Sequence, residues 1–178
     1  MKGMLLSRRH LLRGGVAVAT AFTAAPALAV AETRSVSLVS THTGESLAVS
    51  YFKAGSYDSL GLEQVARVLR DHRTGDVHPI DPTLLDLLHD LQVLADRDDA
   101  FQVISGYRSP QTNGMLRARS GGVATRSLHM DGKAIDIRLT GFPTKTLHQL
   151  AMSLKRGGVG YYATSDFVHV DTGRVRYW

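Results

Sequence analysis

Cysteine is absent from the 178 residues, which excludes a disulfide framework, a thiolate metal site and a cysteine nucleophile. Proline is sparse, at 5 residues, and there is no internal repeat, low-complexity tract or linker long enough to split a domain. Acidic side chains are missing altogether before Glu32. Against these absences stand 43% hydrophobic and 21% charged residues. That balance supports one packed core at this length and excludes a mostly disordered chain, a collagen and a coiled coil.

The formal net charge of +5 points first to a nucleic-acid partner, but the positions of the charges remove that reading. Lys2, Arg8, Arg9 and Arg13 carry all the charge of residues 1–31, and without them 17 basic residues face 16 acidic ones. No nucleic-acid partner is expected.

Those four cations precede an uncharged stretch of 18 residues, Gly14 to Ala31, rich in alanine, valine and glycine. A basic start, a short apolar stretch and the small-residue runs Ala27-Leu28-Ala29 and Ala29-Val30-Ala31 make an export signal, with cleavage expected after Ala29 or Ala31. Broken by Pro26, the stretch is marginal as a membrane span. Ser7-Arg8-Arg9-His10-Leu11-Leu12-Arg13 resembles the twin-arginine export motif. The expected division is a signal over 1–31 and one domain over 32–178, located in the periplasm or cell envelope of a bacterium, without a stable membrane span after signal removal.

Patterning within 32–178 predicts an α+β domain with a small, mostly antiparallel sheet and flanking helices. Val36, Leu38 and Ser40 alternate before the turn His42-Thr43-Gly44, and Leu47, Val49 and Tyr51 alternate after it, as in a hairpin. Helical spacing runs through Leu60 to Arg70. Asp81-Pro82 supplies a cap and a first-turn proline for a helix over Pro82–Ala95. Leu84, Leu85, Leu87, Leu88, Leu91 and Leu94 cover more than one stripe of that helix, so it is expected to be well buried. A strand is predicted at Phe101–Ile104, a helix from Ser109-Pro110 to about Arg117 and a strand at Ala134–Leu139. Lys145 to Lys155 reads as a helix capped by Thr144 and stopped by Gly157-Gly158. Val159–Tyr162 and Phe167–Asp171 read as the final strands.

Seven histidines follow the signal. His42 falls in a turn, His72 and His78 in a polar loop, and His89 and His148 on helices. His129 and His169 have neighbours suited to a metal. In Ser127-Leu128-His129-Met130-Asp131-Gly132-Lys133-Ala134-Ile135-Asp136, the Asp136 carboxylate lies inside an apolar strand, where burial is costly without a partner. A divalent cation held with His129 is one solution; an Asp–His hydrogen bond or an exposed turn is another, and spacing alone leaves both open. In Asp166-Phe167-Val168-His169-Val170-Asp171, strand alternation puts Phe167, His169 and Asp171 on one face. His169 is then a candidate third ligand, with Asp171 orienting it or a neighbour. Two His and one Asp with a fourth position free match a catalytic zinc more than a structural one, which would activate water and polarise a carbonyl.

The pattern Ser-x-His-x-x-Gly-x-Ala-x-Asp, followed by a later His on a strand, resembles the zinc peptidases of bacterial cell walls. This is the clan of D-Ala-D-Ala carboxypeptidases and murein endopeptidases, whose fold the hedgehog signalling domain shares. Ser105-Gly106-Tyr107-Arg108-Ser109-Pro110, Gly157-Gly158-Val159-Gly160-Tyr161-Tyr162 and Phe167-Val168-His169-Val170-Asp171 are similar to segments of the compact, twin-arginine-exported murein endopeptidases. The likeness runs from about Ser35 to the end of the chain. The His-x6-Asp spacing differs from the shorter one of lysostaphin-type enzymes.

The resemblance implies Zn2+ held by His129, Asp136 and His169, and an Arg108 guanidinium that steadies the substrate carbonyl or developing oxyanion. It implies a general base at Asp166, three residues before the last ligand, where one branch of the clan carries the longer Glu. Asp171 is the remaining candidate, with Phe167 and Thr164 standing where other branches have their base. Tyr161 and Tyr162 line the cleft or join the core. The function implied is hydrolysis of peptidoglycan crosslink peptides, including the diaminopimelate–diaminopimelate type, and the protein is expected to be a monomer. A non-catalytic zinc-stabilised wall-binding protein and a D,D-carboxypeptidase are the alternatives.

Overall fold

A computed structural model describes residues 32–178. The expected export signal at 1–31 lies outside the described residues. Among the described residues no helix is long and apolar enough to cross a membrane.

The hairpin forms as expected from β1 (Thr33–Ser40) and β2 (Ser46–Lys53), extended by the short strand β3 (Ser56–Tyr57). Helix α1 (Ser59–Val68) follows, its first turn capped by Asp58, which accepts from the Leu60 N–H at 3.1 Å. Helix α2 (Pro82–Ala95) has the predicted bounds, with Asp81 accepting from Thr83 N–H at 3.0 Å and Pro82 in the first turn, where a missing N–H costs nothing. Strand β4 (Phe101–Ser105) leads to α3 (Pro110–Arg119), a 3-10 turn at Leu128–Asp131, β5 (Ala134–Leu139), α4 (Thr144–Leu154), β6 (Gly158–Tyr162), β7 (Phe167–Asp171) and β8 (Arg176–Tyr177).

The strands join in one sheet of order β3-β2-β1-β4-β5-β7-β6-β8. Pairing is antiparallel except for β1 with β4 and β6 with β8, so the mostly antiparallel α+β architecture is as expected. Helices α2 and α4 pack on each other, α2 also on β1 and α4 on β5, β6 and β7, while α1 packs on β2.

Alternation along the central strands divides the sheet into two chemically different faces. Ile135, Ile137 and Leu139 of β5, Val168 and Val170 of β7, and Val159 of β6 enter the core with the leucines of α2. Full burial of each such side chain contributes about 1.5–3 kcal/mol. The intervening residues, Asp136 and His169, lie opposite each other in the β5–β7 register and belong to the other face.

Three local expectations need correction. Leu94 is exposed: with Leu84, Leu85, Leu87, Leu88 and Leu91 against the sheet, its position falls on the solvent side of α2. Thr144 is the first residue of α4 and makes no side-chain cap; the preceding extended residue is Pro143. That helix ends at Lys155, whose φ of 52° supplies the left-handed turn expected of Gly157-Gly158, and Gly158 instead starts β6. Strands β3 and β8 were too short to leave a periodic signal.

Candidate metal centre

His129 stands on the 3-10 turn, which closes at Gly132 with φ 65°. A Cβ there would fall on the Pro79 carbonyl oxygen, so glycine is required both for the turn and for the close approach. The Gly132 carbonyl accepts from Asp81 N–H at 2.9 Å, and the Thr172 hydroxyl donates to the Asp81 carboxylate at 2.8 Å. The start of α2 thus ties the His129 turn to the end of β7.

The imidazole tautomers follow from their partners. Nδ1 of His129 lies 2.7 Å from the Gly106 carbonyl oxygen, which only accepts, so Nδ1 carries the proton and Nε2 is bare. Nε2 of His169 lies 3.0 Å from Asp171 Oδ2; donation there leaves Nδ1 as the inward atom. His129 Nε2 and His169 Nδ1 are 3.2 Å apart, and Asp136 Oδ1 lies 3.3 Å from the first and 2.9 Å from the second. All three residues are buried, and their ligand atoms lie within 4.8 Å of one another.

Three acceptors facing one another demand positive charge between them. Burial disfavours a charged His169 ring, but Asp136 and Asp171 outweigh it and raise its pKa. Burial likewise opposes the Asp136 carboxylate, yet His129 and His169 hold it well below the usual carboxylate range. A single proton on Nδ1 satisfies one contact of the group; a divalent cation satisfies all three.

Asp171 lies behind His169 and is completely buried. Its oxygens accept from Arg176 at 2.6 and 3.1 Å and from Gly158 and Gly173 N–H at 2.9 Å. With the His169 contact these donors overcome the burial penalty and keep its carboxyl strongly acidic. Arg108 also reaches the group: a terminal nitrogen lies 3.5 Å from Asp136 Oδ2 and 3.2 Å from Ser105 Oγ, while its buried Nε has no partner. Burial lowers the pKa of this guanidinium, against the pull of Asp136.

The group opens into a cleft of about 440 Å³ whose lining includes Arg108, Arg126, Tyr162, Phe167, Arg176 and Trp178. Tyr162 lines the cleft, whereas Tyr161 packs against the core. Asp166 is not brought to the group. It occupies a left-handed turn with φ 51° and its carboxylate pairs at 3.5 Å with Arg138 on the protein surface, so the position three residues before His169 directs it away from the cleft. Of the other histidines, His42 stacks on His72, His78 on Tyr107 and His148 on Tyr161, while His89 stands on α2. Arg126, Arg176 and Trp178 were not anticipated from the sequence. The only tryptophan in the chain was the one available signal; the Arg176–Asp171 pair has none, because it depends on how β8 returns to β6.

Residues 28–178 match the family described as peptidoglycan L,D-endopeptidase MepK. The chain belongs to this endopeptidase family. It is 43% identical over 176 residues to peptidoglycan L,D-endopeptidase MepK of Escherichia coli strain K12, covering 97% of each chain. It is 41% identical over 175 residues to the probable peptidoglycan L,D-endopeptidase MepK of Haemophilus influenzae, covering 96% of this chain and 94% of the relative. No solved structure matches the chain. Membership of the L,D-endopeptidase family agrees with the resemblance carried by the Ser127–Asp136 and Phe167–Asp171 segments and makes the chain a peptidase of peptidoglycan-degrading type.

Proposed function

We propose that the protein is a zinc-dependent endopeptidase that hydrolyses peptide crosslinks of peptidoglycan, including bonds that join two diaminopimelate residues. The observation that carries this reading is the convergence of His129 Nε2, Asp136 Oδ1 and His169 Nδ1 in a cleft of a member of the L,D-endopeptidase family. Two imidazoles and one carboxylate without thiolate suit zinc with an open fourth position. His129, Asp136 and His169 would hold the metal, which when bound supplies Lewis acidity and an activated water.

The chain's own groups supply the rest. Gly106 and Asp171 fix the two imidazole rings by accepting from their outward nitrogens, so that the inward nitrogens stay unprotonated and aimed. Arg108 brings a guanidinium nitrogen beside Asp136 in the cleft lining, placed for a substrate oxygen that gains negative charge. Asp171, sealed behind His169, acts by positioning that ring. The exposed, Arg138-paired location of Asp166 removes the support for it as general base. Residues 1–31 act as a twin-arginine-type export signal, residues 32–178 form the peptidase domain, and the protein works as a monomer in the periplasm or cell envelope. The basic leader followed by an uncharged run supports the export reading.

The test is a chromatographic muropeptide profile of sacculi before and after digestion by purified protein. Crosslinked muropeptides are expected to convert to monomers, a chelator to stop the conversion, added zinc to restore it and His169→Ala to abolish it. Unchanged sacculi with zinc present, or conversion by His169→Ala at the wild-type rate, would overturn the reading. Binding without product would identify a wall-binding module, and release of free D-Ala a carboxypeptidase.

A further inference from the structure

Three guanidinium groups line the cleft, and two of them are committed. Arg108 lies against Asp136, and Arg176 clamps Asp171. Arg126, exposed at the cleft lining, has no ion-pair or side-chain hydrogen-bond partner among the described residues. Its surroundings do not offer one. Between Asp99 and Asp131 the chain contains Arg108, Arg117, Arg119 and Arg126 and no acid, and Asp136 is the single acidic residue of the cleft lining. The backbone under Arg126 is nonetheless tied down: the Asn113 amide, on α3, donates to the Ala124 carbonyl at 3.1 Å, and Ser127 begins the turn that carries His129. A cation thus lines the same cleft as His129, Asp136 and His169, with no partner among the described residues to neutralise it.

We propose that Arg126 is a specificity-determining residue that binds a free carboxylate flanking the scissile amide. The inference rests on the endopeptidase reading above and adds to it the charge state of the substrate. Each centre of diaminopimelate bears an amine and a carboxyl. When the amine of one centre is acylated in a crosslink, the carboxyl on the same carbon stays free unless it is amidated. A guanidinium matches that carboxylate with two parallel donors and has no comparable match to a primary amide.

Two synthetic crosslinked peptides, identical except that the flanking carboxyl is free in one and a primary amide in the other, test this with the zinc-loaded protein. Wild type is expected to favour the free acid in kcat/KM by about 10- to 100-fold, the range of a charge-assisted pair. Arg126→Gln is expected to bring that ratio close to unity. Arg126→Lys, which keeps the charge without the fork, is expected to retain an intermediate ratio, and Arg119→Gln, on α3 outside the cleft lining, the full one. Circular dichroism checks that each variant is folded. A wild-type ratio near unity, or an Arg126→Gln protein with the full preference, overturns the carboxylate assignment while leaving the endopeptidase reading intact. Failure of wild type to cleave either peptide overturns both.

Discussion

At the residue scale, Asp171 lies behind His169 without facing the cleft. Its carboxylate is anchored by Arg176 and two backbone N–H groups and accepts from the outer nitrogen of His169 at 3.0 Å. Asp171→Asn puts an amide NH2 among these donors, where one oxygen had been. Metal affinity is expected to fall about 10- to 100-fold, measured by competition with a chromogenic chelator. Unchanged affinity would assign Asp171 to stability alone. His129, Asp136 and His169 were legible as candidates from the motif they share with cell-wall peptidases, and the structure brings their ligand atoms within 4.8 Å of one another. The choice between Asp166 and Asp171 was not legible. Both are acids close to His169 in sequence, and only the left-handed turn at Asp166 and the returning β8 separate their surroundings.

At the element scale, α3 is held to the end of α1 by Asp71, whose carboxylate accepts from Arg73 and Ser109 N–H at 2.9 Å each. Burial opposes ionisation of Asp71, but the Thr112 and Ser109 hydroxyls and these N–H groups outweigh it and hold its carboxyl below the usual range. Since the folded pKa lies under the unfolded value of about 3.9, this stabilisation is complete above about pH 4 and is lost as pH falls below it. Asp71→Asn is expected to lower stability near neutrality by about 1–3 kcal/mol and to remove that part of the acid dependence. Denaturant unfolding measured across the acid range checks both.

The β6–β8 pairing also seats the Trp178 indole, 5.2 Å from the His169 ring, over Gly160. A Cβ at Gly160 would stand 2.5 Å from the indole. Gly160→Ala is therefore expected to displace the half-exposed Trp178 indole at little cost in stability and to shift its emission. Because Trp178 is the single tryptophan of the chain, fluorescence reads this without ambiguity, and an unshifted spectrum would show that the indole does not rest there. Most element bounds were legible from local signals, Asp81-Pro82 above all. The end of α4 was not: Lys155 adopts a conformation usually left to glycine, while Gly157-Gly158 serves the close approach of β6 to Asp171 and Arg176.

At the scale of the whole molecule, the apolar core and the His129–Asp136–His169 group occupy opposite faces of the central strands. The core is complete without the metal, so a chelated protein is expected to keep its far-ultraviolet dichroism. Zinc at about 100 times its dissociation constant adds about 2.7 kcal/mol, which raises Tm by about 5–10 °C for a domain of this size. Thermal melts with and without chelator test this. Loss of secondary structure on chelation would make the metal structural, and an unchanged Tm would argue against binding.

The sequence by itself determined the α+β class and the division between core and polar positions on the longer strands, and it marked His129, Asp136 and His169 as candidates. Periodicity, capping and donor chemistry are properties of neighbours along the chain. Tertiary structure alone decided which protein groups complete the centre. Gly106 under His129, Asp171 with Arg176 behind His169, and Trp178 beside it come from separate elements, joined by strand order and register. Asp136 illustrates both levels: alternation marked it as an acid in an apolar strand, but only pairing of β5 with β7 set it opposite His169.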